Sequence, residues 1–312
     1  QDVKQGLGEL AKAWRAQFSI PVALVTGSNG KTTVKEMIAS IFKVAAGEER
    51  TLVTKGNLNN DIGLPLTLLK LRPSDQLAVV ELGMNHPGET AQLAATAQAN
   101  IALINNAQRE HQEFMTTVAA VAEEHSDAIR ALPKEGFAVF PADSEFSGVW
   151  REAAAGRKVI DFVLASTQKV TEASVTGRLL SNGHVQVQTE QGVVEIHLKT
   201  LGSHNVRNAL AASAVALAAG VGLEKIKQGL ESFSPVNGRM QAKKLDPNHT
   251  LIDDSYNANP DSVRAAIDVL AELPGPRLLV LGDMGEVGTQ GPEFHQEVGI
   301  HAAQMGIDHV LC

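Results

Sequence analysis

A glycine-rich segment carries the clearest chemical signal in this sequence. The segment TGSNGKTT, at residues 26–33, follows the apolar run VALVT and precedes a helical pattern. A turn of this kind, between a buried strand and a helix, directs backbone N–H groups and the positive end of the helix dipole towards a phosphate. We expect Lys31 to reach the β- and γ-phosphates of ATP and the Thr32 hydroxyl to bind Mg²⁺. The predicted phosphate-binding residues are Gly27, Ser28, Asn29, Gly30, Lys31, Thr32 and Thr33.

The spacing of this segment departs from the usual phosphate-binding loop. The motif G-x-x-x-x-G-K-[ST] would place a glycine where this chain has Val25. A Gly-Asn turn with a surface lysine is the alternative. The order of strand, turn, lysine, threonines and helix favours the nucleotide-binding interpretation.

Other polar side chains occupy positions suited to a nucleotide site. Glu81 ends the apolar run LAVVE, where the carboxyl edge of a parallel sheet usually forms a ligand crevice and a hard oxygen suits Mg²⁺. A charge that only ends a strand is the alternative. Asn205 and Asn208 share one side of a predicted helix, and their amides match the edge of adenine. Helix capping by Ser203 or Asn205 is the alternative there.

Length and composition narrow the possible classes of protein. The chain has 312 residues and a formal net charge of -8, so we expect two domains and no binding to nucleic acid. Its single cysteine is Cys312, which excludes a disulfide framework and fits the reducing cytoplasm. The sequence has no apolar run long enough to span a membrane, and we expect no membrane insertion. At both ends the sequence pattern stops within a structural unit, so we expect the chain to be a fragment of a longer protein.

The order of the elements predicts an α/β fold. Apolar runs alternate with helical patterns from Pro21 to about residue 140, which indicates a mostly parallel sheet covered by helices. Strict alternation between Val159 and Thr200 predicts a small antiparallel sheet with a turn near Gln191 and Gly192. The α/β pattern restarts after the loop SPVNGRMQ, as at the start of a Rossmann-like domain. We therefore predict a central ATPase domain at 1–238 and a second domain at 239–312.

Several segments together resemble the Mur ligases, the ATP-dependent amide ligases that build the cell-wall peptide. These segments are TGSNGKTTVKEM, TKGNLNNDIGLPLTLL, ELGMNHPGE, INNAQREH, LGSHNVRNALAA, NGRM, DDSYNANPDS and VLGDMGEVG. The resemblance covers almost the whole chain. It implies a monomer that uses ATP and Mg²⁺ to make an acyl phosphate, which an amine then attacks. The text GNLNNDIG with DDSYNANP implies UDP-N-acetylmuramoyl-tripeptide and D-alanyl-D-alanine as the substrates.

The resemblance also implies roles for individual residues. It assigns Thr32 and Glu81 to one Mg²⁺ and His111 to a second, although a lone loop histidine is otherwise a solvated polar residue. It places Arg239 on the ATP phosphates and Asp254 on the ribose. The implied substrate-binding residues are Thr54, Asn57, Asn59, Asn60 and Asn257, for which turn formation is the alternative. For the amine, the sequence does not distinguish among Asp283, Glu286 and His295.

One position departs from the family pattern. Counting from His111, the family's carbamylated lysine, a ligand of the second metal ion, falls at His125. A neutral imidazole is a poor substitute for an anionic oxygen ligand of Mg²⁺. We expect either that Glu123 or Glu124 supplies the missing negative charge or that a protonated His125 takes over part of the cation's role.

Two other classes of protein compete with this interpretation. Another Mur-type ligase or a folylpolyglutamate-type ligase would share the architecture and differ in the amine pocket. A regulatory ATP-binding protein would hydrolyse nucleotide without forming a bond. The short form of the loop and the second α/β unit with its polar DDSYNANP segment favour a ligase.

Overall fold

A computed structural model describes residues 2–110, 113–165, 172–285 and 287–312. Its main element is a six-stranded, wholly parallel sheet with the strand order β2-β3-β1-β4-β5-β6. The strands are β1 (Val22–Thr26), β2 (Thr51–Val53), β3 (Leu77–Glu81), β4 (Ile101–Ile104), β5 (Phe137–Val139) and β6 (Lys158–Val159). Every residue of β1, β3 and β4 is buried, as expected for strands covered on both faces. The predicted α/β fold is confirmed.

Helices cover both faces of this sheet. One face carries α2 (Lys31–Ala46), α7 (Ser203–Ala218) and α8 (Leu223–Ser232). The other face carries α1 (Val3–Arg15), α3 (Gly63–Leu68), α4 (Glu89–Ala97), α5 (Val118–Arg130) and α6 (Ser147–Ala154). Successive strand residues supply the two cores in turn: Ala23 and Val25 pack on the first face, and Val22 and Leu24 on the second.

A four-stranded sheet extends the first face. Its order is β10-β9-β8-β7, with β7 (Phe162–Leu164), β8 (Val175–Leu179), β9 (Val185–Thr189) and β10 (Gly192–Ile196). The predicted antiparallel pairing and turn are confirmed for β8, β9 and β10. The β7–β8 pair is parallel instead. Strand β7 follows β6 after two residues, and Phe162 bridges Pro141 in parallel, so β7 keeps the direction of the large sheet.

The remaining residues form a second unit with its own small core. Strands β11 (Gln241–Lys244) and β12 (Thr250–Asp253) make an antiparallel pair, and β13 (Leu278–Val280) and β14 (His309–Leu311) a parallel pair. The helices α9 (Pro260–Ala271) and α10 (Gly291–Gln304) pack together through Val263, Ile267, Phe294 and Val298. In the described residues, every helix is too short or too polar to cross a bilayer.

Candidate active site

A cavity of about 1130 Å³ lies at the carboxyl edge of the large sheet, between the two units. Val25 pairs with Glu81 and Thr26 with Ile104, so β1, β3 and β4 end at one level and their following loops meet there. The cavity walls include these predicted site residues: Ser28, Asn29, Gly30, Lys31, Thr32, Thr33, Asn57, Asn59, Asn60, Glu81, Asn205, Asn208, Arg239, Asp254 and Asn257. Gly27 and Thr54 are not among the wall residues, and His111 lies outside the described residues.

The phosphate loop requires glycine at two positions. Gly27 and Gly30 have φ angles of 131° and 78°, which side chains rarely adopt. A Cβ atom on Gly27 would lie 3.0 Å from the backbone nitrogens of Asn105 and Asn106. A Cβ atom on Gly30 would lie 2.8 Å from the side-chain amides of Asn105 and Asn208. The loop is therefore packed tightly against its neighbours while its other side faces the cavity.

Lys31 is held against its own loop. Its Nζ donates to the carbonyl oxygens of Gly27 at 2.6 Å and Ser28 at 3.0 Å. It also donates to Glu110 Oε2 at 3.2 Å. The ammonium group thus lies beside the loop, where it can exchange the two carbonyl acceptors for phosphate oxygens.

Glu81 offers one carboxylate oxygen without a hydrogen bond. Its Oε1 accepts from the Thr32 hydroxyl at 3.2 Å and from the Asn59 amide at 2.8 Å. Its Oε2 is buried and has no hydrogen-bond partner among the described residues, and Lys35 Nζ is 3.9 Å away. This oxygen and the Thr32 hydroxyl are the hard ligands that Mg²⁺ prefers. The described residues contain no cluster of three or more His, Cys, Asp or Glu side chains suited to a metal. Mg²⁺ usually binds one or two carboxylates and keeps several waters, so this pair is compatible with it.

Of the predicted substrate-binding cluster, Thr54 and Asn60 make contacts that stabilise the fold. The buried Thr54 hydroxyl accepts the Glu81 N–H at 2.9 Å, so the structure places this side chain beneath the cavity instead of on its wall. Asn60 lines the cavity, but its Oδ1 accepts from the Gly63 N–H at the start of α3. Asn57 is exposed on the cavity wall.

His125 is paired with a carboxylate that the sequence analysis did not single out. Its Nε2 lies 3.0 Å from Glu110 Oε1, and its Nδ1 lies 3.1 Å from the Thr26 hydroxyl. Burial raises the pKa of Glu110, but the Lys31 charge and the His125 hydrogen bond outweigh it and hold that pKa well below its usual range.

The two carboxylates expected to supply the missing negative charge, Glu123 and Glu124, have their side-chain partners away from His125. Glu124 accepts the N–H groups of Gly88 and Thr90 at the start of α4. Glu123 pairs with Arg130 on the surface.

A chain of amides connects the phosphate loop to α7. The Asn105 amide donates to the Asn29 carbonyl and to Asn208 Oδ1, both at 2.9 Å. Asn208 in turn donates to Asn205 Oδ1 at 3.1 Å, and Asn205 donates to the Leu201 carbonyl. The N-cap residue of α7 is Gly202, and among the described residues no side chain caps the helix. Asn205 is therefore not a helix cap, which was the alternative interpretation.

The second unit presents Arg239 and Asp254 to the same cavity. The Arg239 guanidinium stacks on the Tyr256 ring at 4.1 Å, and its buried Nε has no hydrogen-bond partner among the described residues. Asp254 accepts the Met240 N–H at 2.9 Å. Burial raises the pKa of Asp254 above its ordinary value, against the opposing effects of that N–H and the Arg239 charge.

Two asparagines join the phosphate loop to the second unit. The Asn259 amide donates to Asn29 Oδ1 at 2.8 Å, and Asn29 donates back at 3.4 Å. Asn259 also caps α9 through the Ser262 N–H, with Pro260 in the first turn. Asn257 accepts the neighbouring Ala258 N–H, which is a local contact.

Arg109 makes two ion pairs between the units. Its guanidinium donates to Asp261 at 2.6 Å and to Glu297 at 2.7 Å. Arg109 and Arg264 lower the pKa of Glu297 to about 2, chiefly through the Arg109 hydrogen bonds. Residues Asn105 to Glu110 therefore touch the phosphate loop, α7 and the second unit together.

Two of the predicted amine-binding candidates are neighbours, because His295 Nε2 lies 3.9 Å from Asp283 Oδ1. His295 is occupied on both ring nitrogens, because Nε2 accepts the Met284 N–H and Nδ1 donates to the Gly291 carbonyl. Asp283 is fully exposed. Glu286 lies outside the described residues.

Comparison with known proteins identifies the family. The model of the Mur ligase middle domain matches residues 25–216, and that of the Mur ligase glutamate ligase domain matches residues 238–312. The chain belongs to the Mur ligase family. The resemblance inferred from the motifs is confirmed.

Individual relatives support this membership. The UDP-N-acetylmuramoyl-tripeptide–D-alanyl-D-alanine ligase of Escherichia coli K12 is 42% identical over 313 residues, covering 100% of this chain and 68% of the relative. The crystal structure of MurF from Acinetobacter baumannii has a TM-score of 0.92 and 38% identity, covering 99% of this chain and 67% of the other. MurF from Thermotoga maritima in complex with ADP has a TM-score of 0.87 and 25% identity, covering 99% and 70%.

Proposed function

We propose that this chain forms the ATP-binding part of a ligase that joins D-alanyl-D-alanine to UDP-N-acetylmuramoyl-tripeptide in peptidoglycan precursor synthesis. Relatives at 42% and 41% identity carry that ligase name. The main structural support for this proposal is the cavity that the two units share. The phosphate loop of the first unit and Arg239 and Asp254 of the second face one cavity, so ATP would be bound between them.

The chemistry requires activation of a carboxylate. At neutral pH the tripeptide carboxylate does not react with an amine, and transfer of the ATP γ-phosphoryl group to it gives an acyl phosphate and ADP. The amine nitrogen of D-alanyl-D-alanine then attacks the acyl carbon, the new amide bond forms and phosphate leaves. These steps need cations and N–H donors around phosphate oxygens more than a covalent nucleophile from the protein.

The residues of the cavity fit these needs. We propose that the loop N–H groups and Lys31 bind the phosphates and that Arg239 approaches them from the second unit. Asn205 and Asn208 would bind adenine and Asp254 the ribose. Asn57 and Asn59, which line the cavity, would contact the muramyl substrate.

Mg²⁺ would be held by the Thr32 hydroxyl and Glu81. When bound, it would neutralise phosphate charge. The buried Glu81 Oε2, which has no hydrogen-bond partner in the described part of the chain, supports this assignment. His111 stays a proposal for a second metal ion. We further propose that the domains span 1–238 and 239–312 and that the protein is a cytoplasmic monomer.

A regulatory ATPase is the competing function. It would release phosphate from ATP without either ligase substrate. The test is phosphate release by the complete gene product with ATP and Mg²⁺, with UDP-N-acetylmuramoyl-tripeptide and D-alanyl-D-alanine added singly and together. The ligase predicts release only with both. Equal release without them would contradict it, and Lys31→Ala should abolish the signal.

A further inference from the structure

Three buried side chains, Glu110, His125 and Thr26, form a ring with the partly exposed Lys31 at the base of the phosphate loop. Lys31 Nζ contacts Glu110 Oε2 at 3.2 Å, Glu110 Oε1 contacts His125 Nε2 at 3.0 Å, and His125 Nδ1 contacts the Thr26 hydroxyl at 3.1 Å. Thr26 is the last residue of β1 and directly precedes the loop that ends in Lys31. The ring therefore starts and finishes on the same short segment of backbone.

We propose that Glu110 is a positioning residue that fixes the Lys31 ammonium for phosphoryl transfer, and this inference rests on the proposed function. Lysine has a long, flexible side chain whose three N–H donors need acceptors. Among the described residues, its acceptors are the Gly27 and Ser28 carbonyls and Glu110. Of these three, only Glu110 carries a charge, so it determines most strongly where the ammonium lies.

His125 and Thr26 fix the position of Glu110 on the side away from Lys31. It is 6% exposed and His125 is 1% exposed, so water contributes little to the orientation of either group. The bond from His125 to Thr26 ties the carboxylate to the end of a central strand, which is among the most rigid parts of such a fold. A rigid support of this kind is what a charge needs in order to act at a defined point in a transition state.

The Glu110 carboxylate should also lower the affinity for ATP. A negative charge beside the phosphate loop repels the incoming triphosphate, although Lys31 and His125 compensate part of it. Glu110 is thus expected to weaken ATP binding while it accelerates phosphoryl transfer. A residue with a purely structural role would change both properties in the unfavourable direction.

Two substitutions at Glu110 test the effect of its charge and the effect of its side-chain length separately. Glu110→Gln removes the charge, so the KM for ATP should fall about threefold while kcat falls about tenfold. Glu110→Asp keeps the charge but is too short to span Lys31 and His125, so kcat should fall with no decrease in KM. The measurement is phosphate release against ATP concentration by the complete gene product, with both ligase substrates saturating.

Two further variants complete the experiment. Thr26→Val removes only the hydrogen bond between His125 and the Thr26 hydroxyl, so kcat should fall by a smaller factor than in Glu110→Gln. This variant also tests the inference if a Glu110 variant does not fold. Asp75→Asn is the matched control, because this buried carboxylate caps a turn that precedes β3, at the opposite edge of the sheet. Its kcat and KM should equal those of the wild type.

The outcomes distinguish this inference from the proposed function. A Glu110→Gln variant with unchanged kcat, or with a raised KM for ATP, would overturn the positioning role in an otherwise active ligase. A wild-type protein that makes no product contradicts the proposed function instead. The affinity of Glu110→Gln for a non-hydrolysable ATP analogue, measured by calorimetry, then decides the inference: tighter binding than the wild type supports it, and equal or weaker binding overturns it.

Discussion

Replacing Arg109 with methionine should loosen the contact between the two units. The Arg109 guanidinium donates to Asp261 and Glu297, and its backbone N–H also donates to Asp261 at 2.9 Å. Methionine is an apolar side chain of similar length, and it removes the charge together with the cation–π contact of the guanidinium with the Phe294 ring. The backbone contact with Asp261 survives the substitution.

The expected loss is moderate because the ion pairs are only partly buried. Side-chain exposures are 24% for Arg109, 21% for Asp261 and 31% for Glu297. Exposed pairs contribute up to about 1 kcal/mol, and breaking a fully buried pair costs about 3–5 kcal/mol. Glu297 keeps Arg264 as a partner at 2.8 Å, so only Asp261 loses its side-chain cation. We therefore expect a loss of about 2 kcal/mol, or roughly 30-fold in the equilibrium between associated and separated units.

Hydrogen–deuterium exchange measures this loss directly. Peptides covering the phosphate loop and the start of α9 should exchange faster in Arg109→Met, and the KM for ATP should rise. Arg130→Met is the matched control, because Arg130 also pairs with two carboxylates, Glu123 and Asp127, but all three belong to α5. Unchanged exchange at both sites in Arg109→Met would refute the view that Arg109 holds the units together.

Three further predictions concern the metal site, the α9 cap and acid stability. Glu81→Gln replaces the oxygen that has no hydrogen-bond partner with an amide nitrogen, so the Mg²⁺ concentration for half-maximal turnover should rise about tenfold or more; an unchanged Mg²⁺ titration would mean that Glu81 is structural. Asn259→Ala removes the α9 cap and the Asn29 contact and should lower the free energy of unfolding in urea by about 1–2 kcal/mol, whereas Asn257→Ala should change it by less than about 0.5 kcal/mol; equal effects would contradict the assigned contacts. The pKa of Glu297 is lowered from 4.5 to about 2, so its stabilising contribution is complete above about pH 4.5 and disappears as the pH falls towards 2. Glu297→Gln should flatten that part of the stability curve, and a curve identical to the wild type would argue against the Arg109 and Arg264 contacts.

Local signals in the sequence were sufficient to predict most elements of the main sheet. The predicted alternation of apolar runs and helical patterns corresponds to β1, β3, β4 and the helices between them, such as α4 (Glu89–Ala97). The apolar runs of β1, β3 and β4 are buried on both faces, which is why their patterns were unambiguous. Strand β11 was not predicted, because its exposed residues, QAKK, have no apolar periodicity.

The contacts that complete the site are long-range and have no local signal. Asn29 pairs with Asn259, which is 230 residues away, and Arg109 pairs with Asp261 and Glu297. The one available clue was the polar run NNAQRE directly after β4, at the carboxyl edge of the sheet. A polar run does not reveal which of its members is buried, and the pairing of Glu110 with His125 and Lys31 depends on the folded arrangement.

Thr54 was predicted to contact the substrate, but the structure buries it. Its polar neighbours predicted a place on the substrate surface, yet the residue is fully buried beside β3. A hydroxyl tolerates this position because it accepts the Glu81 N–H, so the buried backbone donor is satisfied. The same bond supports the carboxylate proposed to bind Mg²⁺.

The identity of the ligation product is the most direct test of the account. The complete gene product is incubated with ATP, Mg²⁺, UDP-N-acetylmuramoyl-tripeptide and D-alanyl-D-alanine, and the nucleotide-linked product is analysed by mass spectrometry beside ADP and phosphate. The account predicts a tripeptide extended by D-alanyl-D-alanine, with ADP, phosphate and product formed in equal amounts. Formation of ADP and phosphate with no extended product, or extension by a different amine in preference to D-alanyl-D-alanine, would contradict it.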